Sequence, residues 1–300
     1  MPENAHAKCP ETPPEETFDR VEDGGQCVVV RRRGAEMVSW RADGKGVLHR
    51  DGETGPPASG WANHATVMGY FLHRLLGEKS LYRGRPVAGG NHGFLRNFEF
   101  AAPRHVAGGL VYEVPASRVP PAAYPLPVGM ELAYFFRRGW LEVRFCFSNQ
   151  SGEEAKLSFG LHPGFAVPAD GSWSLEFPTG RYVRHMAPGN FLDGRTEALD
   201  FGGGTCPYSR DGLPDSYLLE LAGVPDPVFE LDAGTHRVVL DFHGVPYLTL
   251  WSDGGPFVCI EPCWGLPDNN PQKPFEEKEG IQSIPAGGTL EASFRMKILP

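Results

Sequence analysis

The sequence predicts an all-β protein, an antiparallel sandwich or barrel, and three observations carry that prediction. Apolar and polar residues alternate with period two along most of the chain. Helical periodicity is scarce. Gly and Pro, 38 and 29 of the 300 residues, break the alternating runs into short pieces. Successive side chains of a strand point to opposite faces, so a period-two run buries one face and wets the other.

From the N-terminus, residues 1–24 read as a mobile acidic tail rich in Pro and Glu, without the apolar stretch of a signal peptide. Strands are expected at 26–31 and 36–42. Met68, Phe71, Leu72, Leu75 and Leu76 then fall on one face at helical spacing, and Met68 to Leu76 is the one helix the pattern predicts. Strands follow at 109–114 and 129–137. Leu141, Val143, Phe145 and Phe147 alternate with Glu142, Arg144 and Cys146; a Ser-Asn-Gln-Ser-Gly turn intervenes, and another run starts at Lys156. Late strands are expected at 235–243, 246–251 and 256–261. The clearest comes last, with Leu290, Ala292, Phe294, Met296 and Ile298 separated by polar residues. There is no internal repeat and no linker, so residues 25–300 are expected to form one domain.

Composition narrows the function. The chain carries 28 Lys+Arg against 37 Asp+Glu, a formal charge of −9. Nucleic acid and anionic membrane both call for a basic surface, so neither is an expected partner. No apolar run approaches the roughly 20 residues of a spanning helix. Six cysteines (Cys9, Cys27, Cys146, Cys206, Cys259 and Cys263) are too few for a disulfide framework at this length. Cys259 and Cys263 lack a second pair to complete a zinc-type ligand set, and Cys259 reads as a small buried apolar side chain. A cytoplasmic protein is expected, a monomer or weak homodimer, with no metal and no cofactor.

Three segments can carry chemistry. In Leu157-Ser-Phe-Gly-Leu-His-Pro-Gly-Phe165, strand parity puts Leu157, Phe159 and Leu161 on the apolar face and Ser158, Gly160 and His162 on the other. In Phe257-Val-Cys-Ile-Glu-Pro-Cys-Trp264, a carboxylate ends an otherwise apolar strand. A buried Glu needs a partner or a function, because desolvating its charge costs several kcal/mol. Trp264 nearby offers a flat apolar surface on which the C–H face of a sugar can stack. The third segment, Gly89-Gly-Asn-His-Gly-Phe-Leu-Arg96, combines glycines with His92 and Arg96 and matches no phosphate-binding loop. Arg74, Lys79, Arg83, Arg85 and Arg96 cluster in one stretch and could meet a phosphate, or form a solvated loop. One carboxylate and one or two imidazoles suffice to open and reclose a hemiacetal, since each has a pKa tunable toward neutrality.

Asn91-His-Gly-Phe-Leu-Arg96, His162-Pro-Gly-Phe165 and Ile260-Glu-Pro-Cys-Trp264, in that order, resemble elements of the aldose 1-epimerase (galactose mutarotase-like) family, in particular its LacX-like and hexose-6-phosphate epimerase branches. Val30–Trp40 resembles the family's first hairpin and Lys278–Phe294 its closing strands, so the resemblance spans about residues 25–298. It implies a large antiparallel β-supersandwich with an open carbohydrate-binding cleft, and cofactor-free interconversion of α and β anomers of an aldohexose or hexose 6-phosphate. By the resemblance, Glu261 is the general base at the O1 hydroxyl and His162 the general acid at the ring oxygen. His92 holds the ring oxygen and C1 region with Arg96 beside it. Arg74 binds sugar, and Asp215 falls near an aspartate that binds sugar hydroxyls. A carboxylate beside His162 is expected to favour the imidazolium and raise its pKa. The sequence departs from the family in two places: Cys263 separates Pro262 from Trp264, and the Asn-x-x-x-His-x-Tyr-Phe-Asn-Leu pattern of galactose-type enzymes is absent. Two other readings stand beside this one. A carbohydrate-binding protein without catalysis would need the cleft but not both acid and base. A glycoside hydrolase would need a second carboxylate, for which Asp215 or Asp253 could be named.

Overall fold

A computed structural model describes residues 16–53, 55, 57, 60–201, 203–205 and 216–299. Its two large sheets are antiparallel. One holds nine strands, with Arg237–Asp241, Thr289–Leu299, Trp140–Asn149 and Val128–Arg137 side by side near its middle. The other holds eight and carries the chemistry. We number its four central strands β1 (Ala65–Tyr70), β2 (Ala155–Ala166), β3 (Tyr247–Trp251) and β4 (Phe257–Trp264). They lie side by side in the order β3, β4, β2, β1. Beyond β3 come Tyr217–Gly223, Gly180–His185 and Thr196–Phe201.

The inner faces of the two sheets make the core. Phe145 and Phe147 from the first sheet meet Phe159 and Trp264 from the second, with the Phe147 and Phe159 rings 4.6 Å apart. Aromatic pairs at such separations add to the burial of their own large apolar area. Parity holds on β2: Leu157, Phe159 and Leu161 belong to this core. Ser158 points away from it and accepts a hydrogen bond from the Leu72 amide at 3.1 Å.

Most expected strands lie where the alternation puts them; Gln26–Arg31, Glu36–Ala42 and Gly109–Val114 agree residue for residue. Two expectations are corrected. The segment from Met68 to Leu76 is not a helix. Ala65–Tyr70 is a strand in which every residue is buried, the chain then loops, and only a single turn forms at Leu76–Glu78. A strand covered on both faces has no wet side, so its apolar residues run together and imitate helical spacing. The acidic tail also ends earlier than residue 24, because Phe18–Asp23 pairs with Gln26–Arg31. Residue types in that strand are mostly polar because it is mostly exposed.

Cys27, Cys146, Cys259 and Cys263 are free thiols. No helix among the described residues is long and apolar enough to cross a membrane.

Candidate active site

Register builds the floor of the site. Thr66 on β1 pairs with His162 on β2. On the other side of β2, Gly160 pairs with Cys263 and Gly164 with Cys259, which sets His162 opposite Glu261. Glu261 in turn pairs with Thr249 on β3. Thr66, His162, Glu261 and Thr249 therefore form one row across four strands, and directly paired residues share a face. His162 Nε2 lies 3.4 Å from Glu261 Oε1. Both side chains are buried, and Glu261 Oε2 has no hydrogen-bond partner among the described residues.

Loops raise the walls. A cleft of about 260 Å³ over this row is lined by Trp61, Asn63, Thr66, His73, Arg74, Asn91, His92, Arg96, Asn190, Ser216 and Trp251 in addition to His162 and Glu261. His73, His92, Asn190 and Ser216 all have positive φ (54°, 63°, 70° and 57°). Non-glycine residues in that region are strained by roughly 1–3 kcal/mol each and tend to gather at functional sites. Gly93, next to His92, has φ of 72°, and a Cβ there would sit 2.3 Å from the Gly69 carbonyl oxygen. Only glycine lets this loop press onto β1.

Hydrogen bonds fix the wall residues. The His73 amide donates to His92 Nδ1 at 3.2 Å, while the His92 amide donates to the His73 carbonyl at 2.7 Å. Arg74 Nε donates to Asn91 Oδ1 at 3.2 Å. Asn63 Oδ1, with its amide turned to suit its neighbours, accepts from Arg96 Nη2 at 3.3 Å and from Trp61 Nε1 at 3.2 Å.

Burial decides the protonation states. Desolvation raises the Glu261 pKa well above 4.5 and lowers that of His162 to about 3. The sequence expectation of an imidazolium held by a carboxylate is thus reversed: taking two charges out of water costs more than their attraction returns. A single proton on the pair therefore rests on Glu261 and not on His162. His92 is lowered well below 6.5, by burial first and then by its titratable neighbours His162 and His73 and the charges of Arg96 and Arg74.

A larger hollow of about 890 Å³ lies over the strands Phe18–Asp23, Gln26–Arg31 and Glu36–Ala42. No histidine lines it, and its Arg20–Glu22 ion pair is exposed, so size does not select the site.

No family model and no curated protein matches the chain. Solved structures do. A galactose mutarotase related enzyme from Lactobacillus acidophilus shares 24% identity at a TM-score of 0.84, covering 95% of this chain and 98% of its own. This chain has the galactose mutarotase-like fold. A galactose mutarotase-like protein from Lactobacillus casei superposes at a TM-score of 0.77 with 21% identity, over 94% of this chain and 100% of that one. Galactose 1-epimerase from Lactobacillus acidophilus NCFM does so at 0.66 with 10% identity, over 95% and 98%.

Within this mutarotase-like fold, five of the residues singled out in the sequence line one cleft: Glu261, His162, His92, Arg74 and Arg96. Trp264 does not, and its expected role as a sugar platform is corrected. Three residues along β4 from Glu261, it faces the opposite side of the sheet, is buried in the core, and stacks on Phe159 at 5.1 Å with the rings 6° from parallel. Trp61 and Trp251, half-buried at the cleft, supply the aromatic surface instead. Asp215 lies outside the described residues. Lys79, Arg83 and Arg85 do not line the cleft; Arg83 pairs with Glu153 and Glu154, and Arg85 with Glu153. Trp61, Asn63, His73, Asn190, Ser216 and Trp251 were not picked out from the sequence, since they come together from five separate stretches, four of them loops and the fifth the end of β3. Pro188-Gly-Asn190 carries a local turn signal.

His162, Cys259 and Glu261 are the one group among the described residues whose donor atoms could hold a metal, all within 4.8 Å of one another. Bonds of about 2.0–2.3 Å would bring tetrahedral donors roughly 3.3–3.8 Å apart, so this set would have to contract.

Proposed function

We propose that this protein is an aldose 1-epimerase, an isomerase that interconverts the α and β anomers of an aldohexose. The observation that carries the reading is the Glu261–His162 pair: a carboxyl and an imidazole 3.4 Å apart at the floor of a cleft.

Opening a hemiacetal removes the proton from O1 and delivers one to the ring oxygen, as the bond from C1 to the ring oxygen breaks and C1=O1 forms. Both oxygens sit on the same carbon, so the groups that serve them must be close neighbours. With the proton on His162, Glu261 takes the hydroxyl proton while His162 protonates the ring oxygen. With the proton on Glu261, the same transfers run with roles exchanged. Either way the pair ends with one proton, the C1–C2 bond rotates, and reclosure by the reverse transfers yields the other anomer.

The walls suit a sugar. Neutral His92 accepts at Nδ1, so its Nε2 carries the hydrogen and is a donor to a sugar oxygen. Arg74, Arg96, Asn91 and Asn63 add polar contacts, and Trp61 and Trp251 add apolar area for C–H faces. A cleft of about 260 Å³ lies at the small end of ligand sites, near the roughly 300 Å³ lower bound, in keeping with a single ring.

The test is polarimetry or NMR exchange on anomerically pure glucose, galactose and a hexose 6-phosphate. Acceleration with at least one is expected, and the order of rates ranks free sugar against phosphate. Folded protein that accelerates none of them overturns the reading.

A further inference from the structure

Trp61 is held over His162. Their rings stack with centroids 5.0 Å apart and 24° between planes. Four contacts keep the indole there. The Trp61 amide donates to Asp253 Oδ2 at 3.0 Å, His49 Nε2 meets the Trp61 carbonyl oxygen at 3.2 Å, and Nε1 donates to Asn63. The fourth contact is with Phe257, whose ring stacks on the indole at 5.2 Å. Room for the indole comes from the strand below: a Cβ on Gly164 would lie 2.4 Å from Trp61 Cζ3.

A cation within about 6 Å of an indole centroid is attracted to the negative face of the ring, most strongly where water is excluded. Imidazole is neutral at rest and becomes a cation whenever His162 holds the proton of the pair. Resting on the proposed epimerase reading, we infer that Trp61 is a positioning residue that fixes the His162 ring and stabilises its imidazolium during proton transfer.

The other groups around His162 divide. Glu261 on β4 and Glu36 on the Glu36–Ala42 strand favour the cation, whereas Arg96 and His73 oppose it. The His92 ring stands edge-on at 5.2 Å, and the Cys259 thiol is within 4.8 Å. Trp61 is the stacked neighbour that favours the cation without adding a charge to the site.

The experiment replaces Trp61 alone with fluorotryptophans carrying one, two and three fluorines. Each keeps the shape of the indole and drains its π face. kcat should fall stepwise, by about tenfold in all over the series, with KM little changed. Trp61→Leu should fall in the same direction. Unchanged kcat across a folded series overturns the inference. A rise in KM at constant kcat does so too, because the indole would then act on the sugar and not on His162. An inactive wild-type protein would instead sink the epimerase reading itself.

Discussion

The backbone amide of His73 donates to Nδ1 of His92, and that single bond settles which nitrogen of His92 faces the cleft with a hydrogen. A histidine held this way, with its pKa well below 6.5, is a fixed donor and takes no part in titration. His92→Gln, which keeps an N–H at the far end of the side chain, should retain more activity than His92→Leu. Neither should move the limbs of the pH–rate profile. A limb displaced by more than about half a pH unit would make His92 a titrating partner and refute the assignment.

The pH profile itself follows from burial. Activity needs one proton on the Glu261–His162 pair. The raised carboxyl sets the basic limb, where that proton is lost. The lowered imidazole sets the acidic limb near 3, where a second proton is gained. These are macroscopic properties of a coupled pair. Activity should therefore persist at pH 4, where a pair with a solvated carboxylate of ordinary pKa, about 4.3, would already be gaining its second proton. His162→Asn should lose roughly 10²–10⁴ in kcat across the whole range. A profile that instead rises with the ionisation of a carboxyl near 4.5 would show Glu261 to be solvated.

Glu261→Gln should cost a similar factor in kcat, since an amide cannot take the proton. Its effect on stability has the opposite sign. The folded pKa of Glu261 is raised above its unfolded value, so the folded state holds a proton that the unfolded state has released. Wild-type stability should thus decline as pH rises from about 4.5 through the folded value, while the Gln variant should not share that decline. Thermal melts of both proteins at pH 4 and pH 9 check this. A variant that gains nothing over wild type at the higher pH would contradict it.

Trp264 and Trp251 make a second contrast. Trp264→Ala removes a ring from the core and should destabilise by about 3–5 kcal/mol, whereas Trp264→Phe should leave KM for the sugar unchanged. Trp251→Ala, at the cleft, should raise KM with a smaller loss of stability. Denaturant unfolding and steady-state kinetics on the three variants separate the roles. A raised KM for Trp264→Phe would return that ring to the site.

How much of this was legible in the sequence depended on which contacts carry the information. Period-two alternation placed most strands, and parity alone put His162 on the face opposite Leu161, because a strand's own spacing determines its faces. The same reasoning, applied to β4, separates Glu261 from Trp264; proximity in sequence obscured it. It failed on Ala65–Tyr70, where burial on both sides erases alternation. The protonation of the Glu261–His162 pair was out of reach, since a neighbour's charge can be read from a motif but the depth of burial cannot. Trp61 was equally hidden: nothing local to Gly60-Trp-Ala-Asn63 says that its ring comes to rest above Gly164.

Trp264 and Glu261, on opposite faces of one strand, tie alignment to folding. Slipping β4 by one residue would swing the indole out of the sandwich and push the carboxyl into it, so a misaligned Glu261 also means a misfolded sandwich. The strand-borne pair is thereby proofread by the whole hydrophobic interior. Arg74, Asn91, Asn190 and Ser216, carried on loops, have no such guard. On the proposed epimerase reading, sugar preference would drift with insertions and substitutions in those loops, while the proton-transfer pair stays tied to the sandwich beneath it.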